Sequence, residues 1–180
     1  LAKLPADTQD YFQKPSGYDT LRLILAKRTI LVEGPSDELI VQRAYRDKHG
    51  VLPIEKGLDV INVRGLSFAR FLDIAAQLKK PVDVVTDNDG DYQGKVVDRY
   101  AKYISATTKV HADTDDNAKT LEPQLVKHAG RAAIDQVLGT NHANDQALID
   151  YMTANKTDCA LKIFKSDAKI KFPPYITDAV

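Results

Sequence analysis

A chain of 180 residues, 43% hydrophobic and 28% charged, carries enough apolar material for the core of one ordinary domain. Its 25 basic and 25 acidic side chains cancel, which excludes nucleic-acid binding by bulk charge alone, although bound divalent cations would let an acidic site act on nucleic acid. The single cysteine, Cys159, rules out an internal disulfide and a thiolate zinc centre and fits a reducing, cytoplasmic setting; no apolar run of membrane-spanning length and no signal peptide is present, so no membrane is expected.

Residues 1–27 read as a lead-in, with Pro5, Pro15 and Gly17 interrupting a polar stretch and a short helix over Asp19 to Ala26. The chain begins at Leu1, which we read as the edge of a piece cut from something longer. Thr29-Ile30-Leu31-Val32 is a continuous apolar run, the pattern of a strand buried on both faces. Gly34-Pro35 ends it, and Pro35 suits the first position of a helix that buries Ile40, Val41, Ala44 and Tyr45 and stops at Gly50. The cycle repeats with a strand over 58–63 closed by Gly65, then a helix marked by Phe68, Phe71, Leu72, Ala75 and Leu78. A third strand, Pro81 to Thr86, runs into the acidic turn Asp87-Asn88-Asp89-Gly90-Asp91; a helix over Val96 to Ile104 and a fourth strand over Thr108 to Ala112 follow. This alternation predicts crossover units, an α/β fold and a parallel sheet flanked by helices. From about Glu122 the pattern is helical: Pro123 to Ala129, Arg131 to Leu138, Asp145 to Thr153, Cys159 to Lys165, and a last helix begun by Pro173-Pro174 and cut short by the chain end.

In an open parallel sheet, ligands gather beyond the carboxyl ends of the strands. The first strand ends in Glu33, with Asp37 four residues on in the first helical turn; the third ends in Asp87, with Asp89 and Asp91 close behind. If these strands are neighbours, several carboxylates converge, and such groups repel unless cations bind between them. Hard oxygen donors in this number suit Mg²⁺ or Mn²⁺, and a pair of such ions serves phosphoryl chemistry. Each acid also has a plainer reading. Asp37 suits a helix N-terminus whatever the function, and Asp87 to Asp91 are good turn formers. Glu33, directly after a buried strand, has no evident structural task.

The glutamate-glycine pair Glu33-Gly34 after the first strand and Asp87-Asn88-Asp89 after the third resemble the Toprim domain. That domain is shared by topoisomerases, primases, small RNA-maturation nucleases and nucleases of the overcoming-lysogenisation-defect (OLD) family. The OLD nucleases are the subgroup most like this chain. Thr29 to Asp37, reading TILVEGPSD, is similar to their first motif, and Asn62-Val63-Arg64-Gly65 to their second unit. Thr120-Leu121-Glu122 matches a Ser/Thr-x-Glu element that follows their sheet, and Lys156 is the best match to a lysine in the trailing helices, with Lys165 second. Aspartate at 37, where many relatives have glutamate, is a shorter ligand of the same chemistry.

The resemblance implies a Toprim catalytic domain over 28–122, completed by a helical subdomain over 123–180. It implies a nuclease that nicks or cleaves DNA with two Mg²⁺ or Mn²⁺ ions, one held by Asp87, Asp89 and Glu122, the other by Glu33, Asp37 and Asp87. Glu33, Asp87 and Lys156 would be catalytic, Lys156 stabilising charge on the phosphoryl oxygens. Thr120 would contact substrate. Arg64, beyond the second strand, is open to two readings, a phosphate contact or a plain surface arginine. The resemblance also implies an amino-terminal ATPase of the ABC type on the same polypeptide, with oligomerisation through that portion. Two other readings stand beside it. One is a haloacid-dehalogenase-like phosphatase using Asp87 and Asp89, which wants its Asp-x-Asp after the first strand of the sheet. The other is a non-catalytic Toprim-like module that binds DNA or protein. His49, His111, His128 and His142 lack ligand spacing, and Tyr100 and Tyr103 read as packing residues.

Overall fold

The computed structural model describes residues 17–64 and 68–180. Four strands, β1 (Arg28–Val32), β2 (Leu58–Asn62), β3 (Val82–Val85) and β4 (Thr108–His111), form one sheet in the order β2-β1-β3-β4, every pair parallel. Most of the expected lead-in, residues 1–16, and Gly65, expected to close the second strand, lie outside the described residues.

The sheet is covered on both faces, which is why β1 reads as an unbroken apolar run. Ile30, Val32, Val60 and Val85 face α2 (Pro35–His49) and the carboxy-terminal helices. Leu31, Ile61, Val82 and Val84 face α1 (Gly17–Leu25), through Leu23, and α3 (Phe68–Leu78), through Phe71, Leu72 and Ala75. Local chemistry sets the bounds of α2. Pro35 occupies the first turn, where a missing N–H is harmless, the Asp37 carboxylate accepts the Gly34 N–H at 3.0 Å, and Gly50, at φ 74°, closes the helix on the Arg46 carbonyl.

The helix expected over Val96 to Ile104 is replaced by a widened π-helical turn, Gln93–Asp98, and a 3-10 turn, Ala101–Tyr103. The Asp91 carboxylate accepts the Gly94 N–H at 3.0 Å and lies so close that a Cβ at position 94 would sit 2.4 Å from Oδ2. Winding therefore starts on a side-chain bond, earlier and wider than the apolar spacing suggests.

The remaining helices are α4 (Leu121–Ala129), α5 (Arg131–Leu138), α6 (Asp145–Ala154), α7 (Lys156–Lys165) and α8 (Pro174–Ala179), and they share one core with β1, β2 and β3. Arg43, 2% exposed, fastens α2 to the end of α7. Its guanidinium donates to the carbonyls of Ile163 and Ser166, to that of Ala168 at 2.6 Å and to Asp47 Oδ1 at 2.7 Å. Arg46 adds a bond to the Phe164 carbonyl at 2.8 Å. Carbonyls at a helix C-terminus lack partners within the helix, and a five-donor side chain satisfies several at once.

A second buried polar cluster ties β3 to both neighbours. Asp83 accepts from Arg28 Nε at 2.9 Å and meets His111 Nε2 at 2.9 Å, while Arg28 also donates to the Ala179 carbonyl at 2.6 Å. Burial opposes ionisation of Asp83, but the bonds from His111 and Arg28 outweigh it and hold the carboxyl below its usual range. Because the folded pKa is depressed, this contribution is complete above the unfolded carboxyl pKa, near 3.8, and is lost as pH falls through the lower folded value. Asp83→Asn is expected to cost about 1–2 kcal/mol at neutral pH. It should also flatten the fall of Tm between about pH 5 and pH 2, as measured by thermal unfolding across that range.

Candidate carboxylate site

The register of β1 on β3, with Leu31 opposite Val84, brings the ends of the two strands level. Two residues further on, Thr86 Oγ1 donates to Glu33 Oε1 at 2.5 Å and the Asp87 N–H donates to the same oxygen at 3.1 Å. Glu33 is thereby held across the end of β3. Asp37, at the third position of α2, faces Glu33 from the helix side, and Glu122, in the first turn of α4 and 4% exposed, closes the group. Thr120 Oγ1 donates to Glu122 Oε2 at 3.0 Å, and the Lys156 ammonium lies 3.3 Å from both Glu122 oxygens.

Electrostatics sets this cluster apart from the structural ion pairs. Burial, followed by the charges of Asp37, Glu33 and Glu122, pushes Asp87 up to about 9, with Lys156 pulling the other way. Burial and the Glu33 charge push Asp37 up to about 7 against the opposing Gly34 N–H. Lys156 is the first residue of α7, where a cation opposes the helix dipole. The Glu122 carboxylate compensates it there.

Of the other residues singled out from the sequence, Asp89 is exposed at the rim with left-handed backbone, φ 51°, and Arg64, also exposed and left-handed at φ 53°, follows β2 at the same end of the sheet. Lys165 sits at the opposite end of α7 from Lys156, roughly 13 Å along the axis. Asp91 caps the π-helical turn. Three histidines pair with acids, His111 with Asp83, His128 with Asp113 and His142 with Asp135, and His49 packs on the Tyr45 ring. Tyr100 packs edge-on against Phe68. Sequence reasoning missed Thr86, which bonds Glu33, and the buried pair Gln124–Tyr175, whose 2.5 Å bond lies behind the carboxylates. Neither has a local signal, since each depends on a partner far away in the chain.

The donor set fits hard divalent cations, with four carboxylates around one ammonium and no thiolate among them. Among the described residues no three acidic, imidazole or thiol groups close around a single point. Three of the four carboxylates are engaged with protein donors instead, Glu33 with Thr86 and the Asp87 N–H, Asp37 with Gly34, Glu122 with Thr120 and Lys156.

Residues 24–89 match the family model for the overcoming lysogenization defect protein-like TOPRIM domain. The fold is similar to the C-terminal region of the Burkholderia pseudomallei OLD protein, with TM-score 0.66 and 18% identity over 86% of this chain and 94% of that one. It is also similar to the C-terminal region of the Xanthomonas campestris pv. campestris OLD protein, with TM-score 0.60 and 18% identity over 88% and 92%. Comparison with curated protein sequences gives no match.

Crowding of the carboxylates has a consequence for stability. The folded pKa of Asp87 is raised, so its contribution is complete below the unfolded value of 3.8 and is lost as pH climbs through about 9. In EDTA, Asp87→Asn is expected to gain Tm relative to the parent as pH rises from about 5 to about 9. Parallel melting curves that do not diverge with pH would contradict the electrostatic account.

Proposed function

We propose that this chain, which carries an OLD-like Toprim domain, is the phosphodiester-cleaving module of a divalent-metal-dependent DNA endonuclease. The observation that carries the reading is the convergence of Glu33, Asp37, Asp87 and Glu122, with Lys156, at the carboxyl ends of two neighbouring parallel strands. Glu33, Asp37 and Asp87 would hold one ion and Asp87, Asp89 and Glu122 the other. When bound, Mg²⁺ or Mn²⁺ supplies Lewis acidity for water activation and for charge on the departing oxygen.

The chain's own residues do the rest. Thr86 and the Asp87 N–H hold Glu33 in one orientation, so that its second oxygen stays free. Lys156 presents its ammonium beside Glu122, where it can meet negative charge developing on a phosphoryl oxygen. Thr120 orients Glu122 and would contact the substrate, while Arg64 would offer a fork to a backbone phosphate from beyond β2. Left-handed backbone at the non-glycine residues Arg64 and Asp89 supports a functional reading of this sheet end.

The similar solved structures are C-terminal regions of OLD proteins, which supports a further portion on the same polypeptide; we propose that this portion is an ABC-type ATPase through which the protein oligomerises. No helix among the described residues is long and apolar enough to cross a membrane.

Supercoiled plasmid incubated with Mg²⁺, Mn²⁺, Ca²⁺ or EDTA tests the proposal. Nicked circles are expected with Mg²⁺ or Mn²⁺ and none in EDTA. Asp87→Ala is expected to abolish the activity with the fold retained, and Lys156→Ala to lower kcat by about 100-fold with little change in KM. Cleavage by Asp87→Ala at the parental rate would end this reading. Hydrolysis of an aryl phosphate without nicking would favour the phosphatase instead, and plasmid binding without either reaction the inert module.

A further inference from the structure

Asn88, between the two aspartates of the turn after β3, is 0% exposed. Its amide nitrogen donates to the carbonyls of Asp113 at 2.8 Å and Asp115 at 2.9 Å, and its amide oxygen accepts the Gly90 N–H at 2.9 Å. Both donor hydrogens are thus spent on the backbone of another segment, the 112–120 loop between β4 and α4.

That loop is what delivers Thr120 and Glu122 to the site. β4 pairs with β3, Val85 opposite His111, which sets the start of the loop beside the turn after β3, but that register ends at His111 and leaves the far end of the loop, at α4, to other bonds. Further bonds join the two loops at their rims. The Asp89 N–H donates to the Lys119 carbonyl at 3.2 Å and the Tyr92 N–H to Asp116 Oδ1 at 2.7 Å. The Lys119 stem lies over Gly90, where an added Cβ would come to 3.0 Å of its Cε. On its other side the loop is tied to α4, through Asp115 with Lys127 at 2.9 Å and Asp113 with His128 at 3.4 Å. Asn88 is the buried centre of this stitching, and the bonds at Asp115 and Asp116 are solvent-accessible.

The geometry points to Asn88 as a positioning residue that sets the spacing between Asp87 and Glu122 by locking the 112–120 loop onto the turn after β3. It touches no reacting atom and acts through the two carboxylates. The inference rests on the reading of Asp87 and Glu122 as partners in one cation site, and it assigns the middle residue of the aspartate pair a task of its own.

Asn88→Asp tests it, because the shape is kept while both donors are lost and a carboxylate is set against two carbonyl oxygens. Hydrogen exchange of the metal-free protein should show amides of residues 113–120 opening about tenfold faster, with those of α2 unchanged. Mn²⁺ binding, followed by the paramagnetic resonance of the free ion, should weaken by about 10- to 100-fold. If the parent nicks plasmid, kcat of the variant should fall by a similar factor with KM for DNA within about twofold. Parental exchange at 113–120 together with parental Mn²⁺ affinity would overturn the inference. So would loss of α2 protection along with the loop, which marks a residue needed for folding alone. A parent that binds Mn²⁺ and cleaves no DNA overturns the nuclease reading only, since exchange and ion binding still decide the case of Asn88.

Discussion

The parallel pairing of β1 with β3 is the constraint on which the site depends. Parallel neighbours end at the same edge of the sheet, so a glutamate after one and an aspartate after the other are forced together, whatever their separation in sequence. Two carboxylates so placed repel, and the rest of the fold has to hold them there. It does so with an apolar core on both faces of the strands and with donors that fix Glu33 and, beside it, Asp37. The core resists relaxation because close-packed side chains leave the strand ends no room to part.

Helix direction completes the arrangement. α2, α4 and α7 all begin at this edge, through Asp37, Glu122 and Lys156. The positive ends of three helix dipoles therefore favour the concentrated negative charge. Lys156 is the exception in sign. Its position at the start of a helix makes sense as part of a charge-balanced site and not as a cap, since an ammonium only donates and cannot accept the free N–H groups there.

The layered fold was largely legible in the sequence, because it is written in local patterns. The apolar run Thr29 to Val32, the Gly-Pro entry to α2 and the spacing of Phe68, Phe71, Leu72 and Ala75 each report a structure a few residues wide. The acids at the strand ends were legible for the same reason, since crossover topology says where strand ends lie. What was not legible depends on contacts between distant segments. The π-helical turn rests on the approach of Asp91 to Gly94, and an apolar spacing that fits an α-helix cannot register a side-chain bond. Thr86, Asn88 and Tyr175 look like ordinary polar residues until their partners Glu33, Asp113 and Gln124 are brought beside them.

Arg43 has a consequence well away from its own surroundings. The helix it grips begins at Lys156 and the helix it belongs to begins near Asp37, so the two run side by side with their starts at the carboxylates and the far end of α7 clamped to the middle of α2. The pair forms a two-pronged fork, its tips at the carboxylate cluster and its handle locked by a planar guanidinium with several donors. Drift that loosened the handle would splay the tips and spread the cluster while every acid stayed intact. Selection on the geometry of the cluster would therefore act on a side chain that lies outside it.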